Sequence, residues 1–358
     1  MSSTVVLGLQ YGDEGKGKIT DYLAKDYDIG VRFNGANNAG HTIVVDGHKY
    51  ITHLIPSTAL YPNKVSVISA GVAVDVEVLK QDMEALGVGS LNNRLLIDHR
   101  CAVITADHKN RDKATALSDK IGTTNRGVGP CFADQTSRSG KRYSDIFPKN
   151  KFNSTEYVYN SLLRGKKVLF EGAQSTFLDL IHGDYPYVTS CNTTVGAICT
   201  NVGIPPKMIN EVYGVFKAYS TRASKGPFLT EDLGPKSEFI REVGGEYGST
   251  TGRTRRIGWL DLLDVRKACD INGVDWLVMT KADVLDQMSS FPVCVDRNLK
   301  GEPVYKEVNG WMTDISKIKR YKDLPDRFKE FVSLVERKTR RPVTIVSTGA
   351  DRKQTIRR

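Results

Sequence analysis

Short apolar runs rich in Val, Ile and Leu recur along the chain at residues 4–9, 65–69, 95–98, 167–170, 212–218, 276–280 and 343–347. Runs of this length that do not alternate with polar residues suit strands covered on both faces, as in a largely parallel sheet. Helix-like stretches lie between several of them, at residues 16–25, 74–86, 259–271 and 324–338. Alternation of the two predicts an α/β fold with a mainly parallel central sheet and helices packed on both of its faces. There is no internal repeat, low-complexity tract or Pro/Ser-rich linker, so residues 1–358 read as one large domain.

The first strand runs into Gly8-Leu9-Gln10-Tyr11-Gly12-Asp13-Glu14-Gly15-Lys16-Gly17-Lys18 and then into a helix. Strand, glycine loop and helix N-terminus together make an anion site, because glycine lets backbone N–H groups approach a phosphate and the helix dipole favours negative charge. A standard P-loop needs glycine where Gln10 stands and Ser or Thr where Gly17 stands, and G-x-G-x-x-G fails as well. Two carboxylates and two lysines in one tight loop are nevertheless hard to justify by packing alone.

Two further segments carry chemistry. Arg253, Arg255 and Arg256 lie in a compact Gly-flanked loop, Thr-Gly-Arg-Thr-Arg-Arg. The guanidinium fork matches a carboxylate with paired hydrogen bonds, so the loop suits a dicarboxylate better than nucleic acid, which favours interleaved aromatics or a basic helix face. Thr280-Lys281-Ala282-Asp283 closes a strong strand signal, and a carboxylate there could accept the N1–H and 2-amino protons of guanine.

Lys plus Arg number 51 against 41 Asp plus Glu, a net charge of +10 that predicts anionic partners such as nucleotides. The six cysteines show no CxxC pair and no metal-ligand spacing, which reads as reduced thiols in a cytoplasmic protein. The start, Met-Ser-Ser-Thr, lacks the basic opening of a signal peptide, and no apolar run approaches a membrane span.

The glycine loop, Gly-Asp-Glu-Gly-Lys-Gly-Lys, resembles the opening signature of the adenylosuccinate synthetase family. Further family motifs follow in order: residues 38–42 (Asn-Ala-Gly-His-Thr), 121–124 (Ile-Gly-Thr-Thr), 171–174 (Glu-Gly-Ala-Gln), 185–190, 251–256, 280–283 and 347–349. The resemblance covers essentially the whole chain. It implies a P-loop-NTPase-like α/β fold without a standard Walker A motif. The implied reaction is a GTP-dependent ligation of L-aspartate to carbon 6 of a purine nucleoside monophosphate.

By resemblance Asp13 is the base at purine N1, His41 the proton donor to the transferring phosphoryl group, and Lys16 its charge partner. Mg2+ is implied at the Asp13 carboxylate and the Gly40 carbonyl. Gly12, Gly15, Gly17, Thr42, Lys281, Asp283, Ser347 and Gly349 are placed around the triphosphate, and Thr251, Arg253 and Arg255 around aspartate. Asn38, Thr124, Gln174 and Thr189 are placed around the monophosphate, with Arg138 reaching it from a neighbouring subunit of a homodimer.

The chain is shorter than the common bacterial enzymes and departs from the pattern near the monophosphate, where Asn125 and Ser175 stand in place of glycines. These are two candidate acceptors for a purine 2-amino group. They raise the alternative of a viral branch that acts on dGMP or GMP, with ATP or dATP as a further possible donor. Retention of Asp13, replaced by Ser in several such enzymes, favours IMP. Outside this family the rival readings are a regulatory GTP-binding protein and a nucleic-acid binder; neither accounts for the arginine loop together with the glycine loop.

Overall fold

The computed structural model describes residues 2–87, 91, 93–115, 118–248 and 252–358. Nine strands form its central sheet: β1 (Ser2–Gly8), β2 (Ile29–Arg32), β3 (Val65–Ile68), β4 (Leu95–Ile97), β5 (Lys167–Glu171), β6 (Glu211–Lys217), β7 (Trp276–Thr280), β8 (Val343–Ser347) and β9 (Thr355–Arg357). Their spatial order is β9-β8-β7-β6-β1-β5-β2-β3-β4, and every neighbouring pair is parallel except β8 with β9.

All seven apolar runs lie in this sheet. β1 shows why: Val5 and Leu7 join one apolar cluster, while Val6 joins another with Ile19 and Leu23 of the helix Lys16–Ala24. Both faces are therefore covered, and a polar residue on either face would be desolvated. β2 and the antiparallel edge strand β9 were not expected from the pattern. β2 is only four residues long and contains Gly30, where an added Cβ would lie 1.9 Å from Thr58 Oγ1. Close packing, not β propensity, sets that residue.

The four expected helices appear as Lys16–Ala24, Val76–Ala85, Leu262–Asn272 and Asp326–Thr339. The third starts later than the sequence pattern suggests because Asp261 caps it, its carboxylate accepting from the amides of Leu263 and Asp264. The preceding Trp259 and Leu260 are buried in the core instead. Since β1, β2, β5, β6, β7 and β8 run parallel, their carboxyl ends share one edge, where loops of an open α/β sheet gather ligands. Gly8, Arg32, Glu171, Lys217, Thr280 and Ser347 all end strands on that edge.

Candidate active site

The glycine loop crosses the carboxyl edge between β1 and the helix Lys16–Ala24. Gly12 and Gly15 adopt φ of 93° and 83°, and Asp13 itself sits at 61°, a conformation Asp tolerates better than most residues. Gly15 begins the helix without any side-chain cap, which leaves the first-turn amides for an anion. Both departures from a P-loop have a structural cause. Gln10 is buried and ties the loop to β6, its amide donating to Tyr219 O at 2.9 Å and accepting from Lys217 N at 2.9 Å. Gly17 faces His41, and a Cβ there would lie 2.8 Å from His41 Cβ.

Glu14 is fully buried inside the loop. Its Oε1 accepts from Gly12 N at 2.9 Å, from Gln10 N at 3.2 Å and from the Ser175 hydroxyl, while Oε2 takes Lys16 Nζ at 2.6 Å. Burial opposes this charge, but the Lys16 ammonium and the hydrogen bonds hold the carboxyl below its ordinary range.

His41 opens a short hairpin, His41–Val45 with His48–Thr52, and its Nδ1 contacts Glu171 at the end of β5. Glu171 also accepts from Ser57 N at 2.7 Å, Ser57 Oγ at 2.9 Å and Arg32 Nη1 at 3.2 Å. Burial and the adjacent Arg32 lower the imidazole pKa to about 4, with Glu171 acting in the opposite direction. The ligand-free ring is thus neutral near pH 7, with Nδ1–H donating to Glu171.

The glycine loop, Lys16 and His41 open onto one cavity of about 950 Å3. Seven basic side chains line it (Lys16, Lys18, Lys49, Arg111, Arg253, Arg255 and Lys281) against the carboxylates of Asp13, Asp112 and Asp283, a balance suited to phosphorylated and carboxylate substrates. Gly12, Asp13, Gly15, Gly17, Asn38, Gly40, His41, Thr42, Thr124, Gln174, Thr189, Ser347 and Gly349 also line it. Gln174 Nε2 donates to Asn38 Oδ1 at 3.0 Å, joining two of the expected monophosphate residues.

At the aspartate end, Glu246 takes Arg255 Nη1 at 2.6 Å, Tyr219 OH at 2.6 Å and Lys217 Nζ at 3.0 Å. Arg255 Nε lies 2.8 Å from Asp13 Oδ2, at an angle that makes an ion pair without a directed hydrogen bond. Arg253 Nη1 reaches Thr123 O at 3.4 Å and links this loop to residues 121–124. Thr251 lies outside the described residues.

At the other end, Lys281 adopts φ of 58° and donates to Gly244 O at 2.7 Å. Asp283 Oδ1 is buried without a hydrogen-bond partner among the described residues. Burial pushes its carboxyl up, and Lys281 and Lys18 offset part of that. An orphaned acceptor of this kind calls for a ligand donor. Lys18 Nζ donates to Ser347 Oγ at 2.7 Å and Gly349 O at 2.6 Å, fastening the base-side loop to the helix.

Two expected residues stand elsewhere. Ser175 was placed beside the purine, but its side chain is 1% exposed and points under the glycine loop to Glu14, because Gln174 at φ 56° turns the next residue inward. Asn125 is not among the cavity-lining residues; it occupies the left-handed region at φ 55°, and its Oδ1 accepts from Thr123 Oγ1 at 2.9 Å. Asn is among the few residues that tolerate the backbone otherwise given to glycine. Arg138 is exposed at the end of the helix Val128–Ser137, outside the cavity. Sequence reading missed the positions of Glu14 and Glu171; the one available signal was a carboxylate inside each motif.

The sequence profile of the adenylosuccinate synthetase family matches residues 5–156 and 150–356. The chain belongs to the adenylosuccinate synthetase family. An adenylosuccinate synthetase of Acetivibrio thermocellus is 40% identical, with 99% of each chain covered. Their alignment runs over 421 positions, so at least 421 − 358 = 63 of them have no residue in this chain. Among solved structures, the fully ligated adenylosuccinate synthetase from Plasmodium falciparum superposes with a TM-score of 0.95 at 34% identity, covering 99% of both chains. A cyanophage S-2L succinoaminodeoxyadenylate synthetase bound to dGMP and dATP superposes with a TM-score of 0.75 at 20% identity, a likeness of fold alone. Family membership makes this chain a GTP-dependent ligase acting on small molecules. Among the described residues no helix is long and apolar enough to cross a membrane.

Proposed function

We propose that this single ligase domain joins L-aspartate to C6 of IMP through a 6-phosphoryl intermediate, with GTP as phosphoryl donor. The observation that carries the reading is one cavity holding the glycine loop, Asp13, His41, Arg255 and Asp283, whose buried Oδ1 has no hydrogen-bond partner among the described residues.

Oxide is a poor leaving group, so O6 is phosphorylated first. Asp13 takes the N1 proton, and O6 forms a bond to the γ-phosphorus as the bond to the β,γ-bridging oxygen breaks and GDP leaves. Lys16 and the free helix amides carry charge from the phosphates. His41 donates to the leaving oxygen; the negative charge of a bound triphosphate offsets the burial and the Arg32 field that keep the free ring neutral, so the ring gains a proton on loading. The aspartate amine, held through its carboxylates by Arg253 and Arg255, then attacks C6 and expels phosphate. Asp283 accepts from guanine N1–H and the 2-amino group, whereas adenine presents an acceptor at N1.

Asp13 and Gly40, which offer a carboxylate and a carbonyl oxygen as hard donors, line the same cavity. That fits Mg2+, which keeps waters and phosphate oxygens and needs few protein ligands. It would supply positive charge to the phosphates there.

Asn125 Oδ1 accepts from Thr123 and the Ser175 hydroxyl donates to Glu14, which supports IMP over guanylate. The exposed Arg138 is proposed to serve the neighbouring site of a homodimer, and a cytoplasmic location accords with these substrates. Incubation with GTP, Mg2+, aspartate and equal IMP and dGMP, followed by mass analysis, tests the reading. Adenylosuccinate is expected to predominate; predominant 2-aminoadenylosuccinate would overturn the acceptor assignment.

A further inference from the structure

Lys16 faces two competing demands. In the structure its ammonium lies 2.6 Å from the fully buried Glu14 carboxylate, and Lys16 itself is 4% exposed. If the glycine loop binds the triphosphate, its phosphates draw the same ammonium away from Glu14. As the ammonium leaves, Glu14 Oε2 loses the one hydrogen-bond donor it has among the described residues, and a carboxylate left buried with too few donors is costly.

The donors that remain include the amides of Gln10 and Gly12 and the hydroxyl of Ser175, all on Oε1, with Glu14's own backbone amide adding to them. Ser175 is thus the only side chain besides Lys16 that donates to Glu14 among the described residues. The site is also closed from behind by β1, since a Cβ on Gly8 would lie 2.3 Å from Ser175 Oγ and 2.5 Å from Glu14 Oε2.

We propose that Ser175 is a positioning residue for triphosphate binding: its hydroxyl holds the Glu14 carboxylate while Lys16 is released to the phosphates. Removing the hydroxyl destabilises Glu14 most in the state that Lys16 has left, so it shifts the exchange back towards the Lys16–Glu14 pair. The triphosphate then binds more weakly, while the purine monophosphate site is unaffected. Ser175 touches no substrate; it acts through Glu14 and Lys16. This inference rests on the reading that the glycine loop binds the triphosphate.

The test measures Kd by calorimetry for a non-hydrolysable GTP analogue with Mg2+, and separately for IMP, in the parent, Ser175→Ala, Glu14→Gln and the double variant. A hydrogen bond to a charged group corresponds to a loss of about tenfold or more, expected for the GTP analogue in Ser175→Ala with IMP binding within about twofold of the parent. In the Glu14→Gln background, where no carboxylate competes for Lys16, Ser175→Ala should change the analogue's Kd by less than about twofold. Ser175→Gly, which leaves room for a water to donate instead, should fall between parent and alanine variant and remains available if the latter does not fold. Analogue binding by Ser175→Ala within about twofold of the parent, equal losses for IMP, or an undiminished effect in the Glu14→Gln background would each overturn the proposal. A parent protein that binds IMP but not the GTP analogue would instead refute the triphosphate reading of the loop.

Discussion

Gly17→Ala adds one methyl group where the helix meets His41, and its consequences can be worked out from three contacts. The new Cβ would lie 2.8 Å from His41 Cβ, 3.2 Å from Cγ and 3.4 Å from Cα. Ordinary contact begins near 3.4–4 Å, so relief needs a displacement of about 0.6–1.2 Å. His41 cannot yield freely on its far side, because Glu171 holds Nδ1 and Arg32 Nη1 lies 3.0 Å from the same nitrogen. The helical preference of Ala over Gly returns about 0.5–1 kcal/mol. Overpacking costs about 1–3 kcal/mol, so the net change in stability is a loss of about 0–2.5 kcal/mol. Catalysis should suffer more, since a displacement near 1 Å costs on the order of a hundredfold. Steady-state kinetics should therefore show kcat reduced by about two orders of magnitude, while the unfolding midpoint falls by no more than about 10 °C. A kcat within about threefold of the parent would refute the argument that His41 is held against the loop in its working position.

Three other outcomes follow from the same site. Asp13→Asn should keep the fold and lose about two to four orders of magnitude in turnover, and activity within tenfold of the parent would remove Asp13 as the base. The preference for GTP over ATP should disappear in Asp283→Asn, a loss of about 1–3 kcal/mol of discrimination read as a ratio of kcat/KM values. In NMR the ligand-free His41 ring should titrate near pH 4, because burial and Arg32 disfavour its charged form, and a bound triphosphate analogue should move that midpoint upward; a midpoint of 6–7 without ligand would contradict the burial argument.

Much of the fold was legible because a strand buried on both faces is mostly apolar, as the middle residues of β1, β6, β7 and β8 are. β2 escaped because its four residues include Gly30, set by contact with Thr58, and Arg32, set by a buried carboxylate. Local pattern carries no record of such distant partners. The candidate site was legible mainly through motifs: Asp13, His41, Arg255 and Asp283 converge on one cavity although up to 270 positions separate Asp13 from Asp283. Ser175 could not be placed from sequence, because its direction depends on the left-handed backbone of Gln174, and a polar side chain beside a motif residue is equally able to face substrate or loop. Asn125 was read as an added functional group, whereas its φ of 55° gives a backbone reason for Asn in place of glycine.

The central claim is that O6 of the purine leaves as phosphate. IMP carrying 18O at O6, incubated with GTP, Mg2+ and aspartate, tests this directly through the isotopic mass of the inorganic phosphate formed. The account predicts one 18O in each phosphate released per adenylosuccinate made. Unlabelled phosphate accompanying product formation would contradict the 6-phosphoryl intermediate and the roles given to Asp13 and His41.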